Sequence, residues 1–144
     1  MGMVDVGEKP VVRREAEAAG KIALSSRTLG AIRQGKIKKG DPFLVAEMAG
    51  MHAAKQTHVL VPHCHPLILE VVALDFQMLG NGVEARCRVK AEAKTGVEME
   101  ALLGVSVALN TVWDMVKYLE KDELGQYPET VITDIRVLKK KKGT

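Results

Sequence analysis

Alternating apolar and polar positions predict four β-strands. The alternation is loose over residues 11–23, becomes a β-rich apolar run over residues 67–79, and is regular over residues 83–91. The Gly-Asn-Gly segment at residues 80–82 predicts a hairpin, and the strand that follows it is expected to have one face in solvent. A last strand is expected over residues 130–138.

Apolar positions that recur every three or four residues predict three helices. The most regular pattern covers residues 97–121. An Asp-Pro pair opens residues 41–55 and is typical of an N-cap followed by the first helical position. A shorter helix, capped by Ser25 or Ser26, is expected to end at Gly35.

The order strand, helix, helix, strand, strand, helix, strand predicts an α+β fold. It fits a ferredoxin-like arrangement, with an antiparallel four-stranded sheet and helices packed on one face. No repeat or long linker divides the sequence, so residues 1–144 are interpreted as one domain. Two prolines in residues 60–66 predict a constrained loop between the second helix and the second strand.

Composition narrows the class of protein. The 144 residues are 47% apolar and 27% charged, which is typical of an ordinary globular domain. The longest uncharged apolar runs are shorter than the roughly 18 to 20 residues that cross a bilayer, so no membrane partner is expected. The chain has no visible secretory signal and only two cysteines, so a cytoplasmic location is expected.

Charge favours a small anionic ligand. The formal net charge is +3, and four of the basic residues form the run at residues 139–142. Two Phe, two Tyr and one Trp offer few rings for base stacking, so no nucleic-acid partner is expected. The lysine run itself has two interpretations, a solvated, frayed terminus or a group that holds phosphate.

All four histidines lie within 14 residues, and Cys64 stands between His63 and His65. Side chains of an extended segment alternate in direction, so the two histidines could share an ion that Cys64 could not easily reach. Because no second ligand cluster completes a tetrahedron, the expectation is a polar pocket wall and no metal.

The longest predicted helix contains ionisable residues among its apolar positions. Asp114 and Lys117 are three residues apart and therefore neighbours on one face. They are either a surface ion pair or a partly buried acid/base couple. Glu98 and Glu100 near the helix start are expected to favour the positive end of the helix dipole, without any ligand.

Taken together, the sequences of several segments resemble the cyclic pyranopterin monophosphate synthase family, molybdenum cofactor biosynthesis protein C. The matching segments are MVDVGEKPVVRREA, KKGDPFLVAEMAGMHAAKQT, LVPHCHPL, GVEARCRV and KTGVEMEALLGVSVALNTVWDMVK. The resemblance implies a cytoplasmic lyase of ferredoxin-like fold, a hexamer built as a trimer of dimers, with its active site at a subunit interface. It further implies conversion of 3',8-cyclo-7,8-dihydroguanosine 5'-triphosphate to cyclic pyranopterin monophosphate with release of pyrophosphate, without a cofactor.

The resemblance also implies roles for individual residues. Asp114 and Lys117 match the catalytic pair of the family. Substrate contacts match two short segments, namely His63, Cys64 and His65, with Met99 and Glu100. Basic side chains that match groups lining the same pocket are Lys9, Arg14, Lys39, Lys55 and Lys140.

Two other functions remain as alternatives at the level of sequence. One is a non-catalytic ferredoxin-like nucleotide-binding module, against which the intact Asp114 and Lys117 argue. The other is a nucleic-acid-binding domain that depends on residues 139–142. For a triphosphate substrate, we expect phosphate contacts to be distributed over Lys39, Lys55, Lys94 and the lysine run.

Overall fold

Four strands form one antiparallel sheet in the computed structural model, which describes residues 1–143. The order of elements confirms the α+β prediction and adds one short helix. The elements are β1 (Val12–Ala23), α1 (Ser26–Arg33), α2 (Pro42–Lys55), α3 (Thr57–Leu60), β2 (Val71–Leu79), β3 (Gly82–Ala93), α4 (Glu98–Glu120) and β4 (Val131–Lys142).

The strands lie in the order β2-β3-β1-β4, and every neighbouring pair is antiparallel. β2 and β3 form the predicted hairpin, in which Leu79 pairs with Gly82. β1 pairs with β3 along its full length, from Val12 opposite Ala93 to Ala23 opposite Gly82. β1 and β3 are therefore the central strands, and their apolar positions supply the sheet side of the core.

Helices α2 and α4 cover one face of the sheet, and close contacts let α4 approach it. A Cβ placed on Gly20 of β1 would lie 2.9 Å from side-chain atoms of Val105 and Leu109 on α4. A Cβ on Gly104 of α4 would lie 2.7 Å from the sulfur of Cys87 on β3. Because only glycine fits at either position without movement of the neighbouring side chains, Gly20 and Gly104 determine how closely α4 packs on the sheet.

Helix α4 is long and apolar enough, by length and composition alone, to cross a membrane. Half of its most apolar window is buried inside the domain, where Val105, Leu109 and Val112 pack in the core. This helix therefore has the burial of a core helix.

The loop before β2 differs from the prediction. β2 begins at Val71, four residues later than expected, and the side chain of Ile68 is almost fully exposed. Just before the constrained loop, Thr57 is the first residue of the extra helix α3, and its hydroxyl donates to the carbonyls of Ala53 and Ala54. This local side-chain bonding has no periodic signature in the sequence.

The lysine run is not a frayed terminus. β4 extends through Lys142, four residues beyond the predicted end at residue 138, with Lys140 opposite Ala16 and Lys142 opposite Arg14 of β1. The Lys139 ammonium lies 3.7 Å from the Glu17 carboxylate on β1. Backbone pairing with β1 and the cross-strand ion pair together stabilise the last residues of β4, which the apolar pattern of the sequence does not predict as strand.

The buried carboxylate of Glu120, at the end of α4, joins three elements. It accepts hydrogen bonds from the Ser25 backbone N–H at 3.1 Å, the Ser25 hydroxyl at 2.8 Å and the Thr130 hydroxyl at 2.7 Å, and also from the hydroxyl of Thr28. Burial raises the pKa of this carboxyl, but the hydrogen bonds outweigh burial and hold the pKa below its ordinary value. Glu120 thus ties the start of α1 and the approach to β4 to the end of α4.

Replacing Glu120 should destabilise the fold in a pH-dependent way. In Glu120→Gln an amide nitrogen faces hydrogen-bond donors, so we expect the free energy of unfolding at neutral pH to fall by about 1–3 kcal/mol. Because the pKa of Glu120 is lower in the folded chain, its contribution is complete above the ordinary value of 4.5 and is lost as pH falls through the folded pKa.

Urea denaturation of both proteins at neutral pH and at about pH 3 measures this effect, and the difference between them should shrink at the lower pH. Glu123→Gln, in the exposed loop after α4, is the matched control and should change stability little. An equal loss at both pH values would contradict the assignment.

Candidate active site

A cavity of about 530 Å³ opens beside the proline-bounded loop and is lined by half of the predicted substrate-contact residues. The loop contributes His63, Cys64 and His65, the start of α4 contributes Met99, and the N-terminal segment contributes Lys9. We call this space the loop cavity. It brings together side chains from three parts of the chain, of which the first and the last are more than fifty residues apart in sequence.

Glu100 lies behind this cavity, in the first turn of α4 as predicted, and is only 2% exposed. Its Oε2 lies 3.8 Å from the thiol sulfur of Cys64. Its Oε1 has no hydrogen-bond partner among residues 1–143. Burial raises the pKa of Glu100 above its ordinary value.

The Cys64 thiol is held in its neutral form by the same surroundings. Burial raises its pKa first, and the negative charge of Glu100 raises it further. Cys64 is therefore suited to contact a ligand and poorly suited to act as a nucleophile at neutral pH.

The N-terminal segment is fastened over the cavity by two side chains. Nε2 of His65 lies 2.8 Å from the carbonyl oxygen of Val4, and Nζ of Lys94 donates to the carbonyl of Gly7 at 3.1 Å. The expectation that no metal binds at His63 and His65 stays a prediction. Within residues 1–143 no three His, Cys, Asp or Glu side chains are grouped to hold a metal.

Lys140 lies next to the cavity because β4 extends beyond its predicted end. Its ammonium is 3.5 Å from the carboxylate of Glu98, which lines the loop cavity. The register of β4 places it opposite Ala16. The tail lysine selected by the resemblance is thus beside the cavity.

A second polar cluster, here called the lysine–aspartate cluster, is centred on Asp114. Lys39, from the loop between α1 and α2, lies 3.1 Å from Oδ2 of Asp114, and Lys117 lies 3.2 Å from Oδ1. The Asp114 side chain is 57% exposed in the single chain, so Asp114 and Lys117 form a surface ion pair there, and their role as an acid/base couple stays a prediction. Lys39 and then Lys117 hold the pKa of Asp114 below its ordinary value.

The loop cavity and the lysine–aspartate cluster lie at opposite ends of one helix. Glu100 and Asp114 are fourteen residues apart on α4, which is close to four turns and about 21 Å along the axis. Both side chains therefore project on nearly the same side of α4. A single chain does not bring the two clusters to the same reacting atoms, which must lie within about 3–3.5 Å of each other.

Helix α2 spans the distance between these clusters. Lys39, just before α2, contacts Asp114, whereas Gly50 later in α2 packs against the backbone of Gly104. The two helices are therefore antiparallel, and the exposed Lys55 at the end of α2 lies toward the Glu100 end of α4. The predicted phosphate lysines are divided between the two clusters.

Arg14 is placed differently from the other predicted basic residues. It is buried on β1, with Nε donating to the carbonyl of Ala93 at 3.3 Å and Nη2 to the carbonyl of Lys94 at 3.1 Å. Through these hydrogen bonds the guanidinium of Arg14 holds the backbone at the end of β3, just before the chain reaches the loop cavity. In the sequence, Arg14 stands among other charged residues of a strand, and this pattern does not predict a buried side chain.

Comparison with known proteins places these residues in a family context. A model of the MoaC family matches residues 3–143. A protein of Aeropyrum pernix named "probable cyclic pyranopterin monophosphate synthase" is 54% identical over 142 residues, which cover 99% of this chain and 97% of the relative. A protein of the same name from Thermococcus kodakarensis is 55% identical over 141 residues, with 98% and 90% covered.

A third relative carries a different name. The Methanothermobacter thermautotrophicus protein is named "probable cyclic pyranopterin monophosphate synthase accessory protein", and it is 54% identical over 140 residues. The aligned region covers 97% of this chain and 88% of the relative. All three similarities therefore extend over both polar clusters of α4.

The contact between Cys64 and Glu100 can be tested by thiol chemistry. Because the Glu100 charge raises the pKa of Cys64, Glu100→Gln should lower that pKa and speed alkylation by iodoacetamide at mildly alkaline pH. Burial raises the pKa of Cys87 to about 12, so Cys87 should not contribute to the rate.

The pH dependence of the alkylation rate, followed by mass spectrometry, gives the pKa of Cys64 in each variant. Glu98→Gln is the matched control and should lower the pKa less, because Glu98 has the weakest effect on the thiol. An unchanged alkylation profile in Glu100→Gln would show that the two groups do not interact.

Proposed function

The chain belongs to the MoaC family, and from that membership we propose its activity, cyclic pyranopterin monophosphate synthase in molybdenum cofactor biosynthesis. The substrate is 3',8-cyclo-7,8-dihydroguanosine 5'-triphosphate, and the products are cyclic pyranopterin monophosphate and pyrophosphate. The enzyme is a phosphorus–oxygen lyase that uses side chains alone, without a cofactor.

The observation that carries this proposal is the lysine–aspartate cluster. Asp114 stays ionised between the ammonium groups of Lys39 and Lys117, so one carboxylate can accept a proton while a neighbouring ammonium can donate one. Rearrangement of a purine requires both transfers. Lys39 is half exposed, so a phosphate oxygen can approach its ammonium while the ammonium stays on Asp114.

The loop cavity supplies the other half of the site. Its thiol and histidines, with the buried carboxyl of Glu100, offer hydrogen-bond donors to the nitrogen and oxygen atoms of a purine-derived ring. The unpaired Oε1 of Glu100 gives a ligand a specific reason to bind, because a buried polar atom without a partner costs about 1–3 kcal/mol. Lys9 and Lys140 add positive charge at the edge of this cavity.

We propose that the complete site forms between copies of the chain, in a homohexamer arranged as a trimer of dimers. The separation of about 21 Å between the two clusters supports this, because one chain cannot apply both to one reaction centre. Exposed apolar side chains on α2, α3 and β4 offer surfaces for such contacts. The most exposed are Leu44, Met48, Val59, Leu60 and Val131.

The finer fold and location follow the same family. The strand order β2-β3-β1-β4, with α1, α2 and α3 between β1 and β2 and α4 between β3 and β4, supports a ferredoxin-like arrangement of one domain over residues 1–144. A cytoplasmic biosynthetic role, with no nucleic-acid or membrane partner, is proposed with it. The pairing of residues 139–142 in β4 leaves the nucleic-acid alternative without its free basic tail.

Turnover should separate the two clusters of charged residues. Asp114→Asn removes the proton acceptor, so we expect kcat for pyrophosphate release to fall by about 10²–10⁴-fold with KM nearly unchanged. Lys55→Ala removes one charge-assisted contact to phosphate and should raise KM about tenfold with kcat nearly kept. Both constants are measured with the cyclic triphosphate as substrate.

Asp75→Asn is the matched control, since Asp75 is an exposed aspartate on β2 that belongs to neither the loop cavity nor the lysine–aspartate cluster. Circular dichroism verifies that each variant folds. Binding of the triphosphate without any pyrophosphate release by the wild type would favour the non-catalytic binding module. Wild-type turnover by Asp114→Asn would remove Asp114 from the mechanism.

The assembly can be tested in solution. Light scattering should give a mass six times the 15.7 kDa of one chain. Leu44→Glu together with Met48→Glu places charges on the exposed face of α2, and this double variant should lower the mass if that face is an interface. A wild-type monomer with full activity would contradict a site shared between copies.

A further inference from the structure

The loop that carries Lys39 is built on a tight turn. The Gly40 backbone N–H donates to the carbonyl of Ile37 at 3.1 Å, which leaves Lys38 and Lys39 as the two central residues of the turn. Gly40 has φ of 111°, a conformation open to glycine. Ile37 is buried and attaches one side of the turn to the core.

Tyr118 contacts the outer side of the same turn. Its hydroxyl oxygen accepts a hydrogen bond from the Lys38 backbone N–H at 2.9 Å. The Lys38 ammonium lies 5.2 Å from the centroid of the Tyr118 ring, within the range of a cation–π contact. The ring itself packs against the core cluster, so it is a fixed support and not a mobile one.

Tyr118 also lies one helical turn after Asp114. Residues four apart on an α-helix are neighbours on its surface, so Tyr118 and Asp114 present adjacent attachment points to the turn. Lys39 reaches Asp114 at two places, 3.1 Å from Oδ2 and 3.3 Å from the backbone carbonyl. One α4 surface therefore holds both the backbone of the turn and the side chain that the turn carries.

The ion pair alone does not account for this arrangement. Lys39 and Asp114 are each about half exposed, and exposed pairs typically contribute only about 0–1 kcal/mol because water screens them and ordering the side chains costs entropy. A backbone N–H held by a packed tyrosine removes much of the freedom that the lysine side chain would otherwise have. The position of Lys39 thus depends on the hydroxyl of Tyr118.

We propose that Tyr118 is a positioning residue that fixes the Lys38–Lys39 turn through the Lys38 backbone N–H and so keeps the Lys39 ammonium on Asp114. The catalytic consequence rests on the proposed function, whereas the structural consequence does not. Asp114 faces two cations, Lys39 from the turn and Lys117 from its own helix, and the turn adds Lys38 over the tyrosine ring.

The first test deletes only the hydroxyl. Tyr118→Phe keeps the ring and its cation–π contact but leaves the Lys38 N–H without its acceptor. We expect faster amide exchange at Lys38, and a rise in the pKa of Asp114 toward its ordinary value, because Lys39 is the largest cause of its depression. NMR titration of the Asp114 carboxyl carbon and hydrogen exchange measure both effects without any substrate.

The matched control is Tyr127→Phe, which makes the same chemical change in a ring that packs edge-on against Trp113. The Tyr127 hydroxyl forms no hydrogen bond within residues 1–143 and lies outside both polar clusters. Tyr127→Phe should leave the titration of Asp114 and the exchange of Lys38 unchanged. Equal behaviour of the two variants would overturn the proposal.

Activity gives a separate readout. With Asp114 acting in its ionised form, the acidic limb of the pH–rate profile should move to higher pH in Tyr118→Phe, and kcat near neutral pH should fall about fivefold, the equivalent of one ordinary hydrogen bond. A lower kcat with an unmoved pH profile would indicate general destabilisation and would overturn the positioning role. If the wild type shows no synthase activity, the proposed function fails while the titration and exchange results still decide the role of Tyr118.

A second pair of variants covers the case in which Tyr118→Phe folds poorly. Lys38→Pro removes the donor N–H at a turn position that accepts proline, whereas Lys38→Ala keeps that N–H. Lys38→Pro should reproduce the altered titration of Asp114, and Lys38→Ala should alter it less. The same titration in both variants would show that the backbone hydrogen bond does not position Lys39.

Discussion

The close approach of α4 to the sheet is the constraint on which the rest of the structure depends. Gly20 and Gly104 admit the helix to a depth at which larger side chains would collide with Leu109 or Cys87. At that depth the two ends of α4 meet different surroundings. Its end at Glu120 is fastened by hydrogen bonds to α1 and to the approach to β4, which gives the helix a fixed position along its axis as well as a fixed depth.

A helix held in this way gives two carboxyl groups opposite properties. Glu100 and Asp114 project on nearly the same side of α4, yet the proline-bounded loop covers Glu100 and leaves Asp114 in solvent. Burial raises the pKa of Glu100, whereas Lys39 and Lys117 lower the pKa of Asp114. Two carboxyl groups whose pKa values are shifted in opposite directions can take different roles in one reaction, and this difference supports the proposed synthase.

The sequence predicted most elements because strong periodicity determines them, as in the hairpin and in α4. It failed where local or charged contacts replace periodicity. The hydroxyl of Thr57 bonds back to α2 at the first residue of the extra helix α3, and pairing with β1 extends β4 through Lys142. The family resemblance selected the residues of the two clusters, but only the fold shows that α4 separates them. The roles of Tyr118 and Glu120 escaped prediction because each depends on contacts with distant segments.

The central claim is that one reaction centre uses Asp114 from one copy and the Glu100 cavity from another. Co-expression of Asp114→Asn with Glu100→Gln, each separately tagged so that mixed assemblies can be purified, tests it directly. A site shared across a two-fold interface would be intact in some mixed dimers, and random mixing should restore up to about a quarter of wild-type pyrophosphate release. Mixed assemblies as inactive as either single variant, despite normal mass and fold, would contradict a site divided between copies.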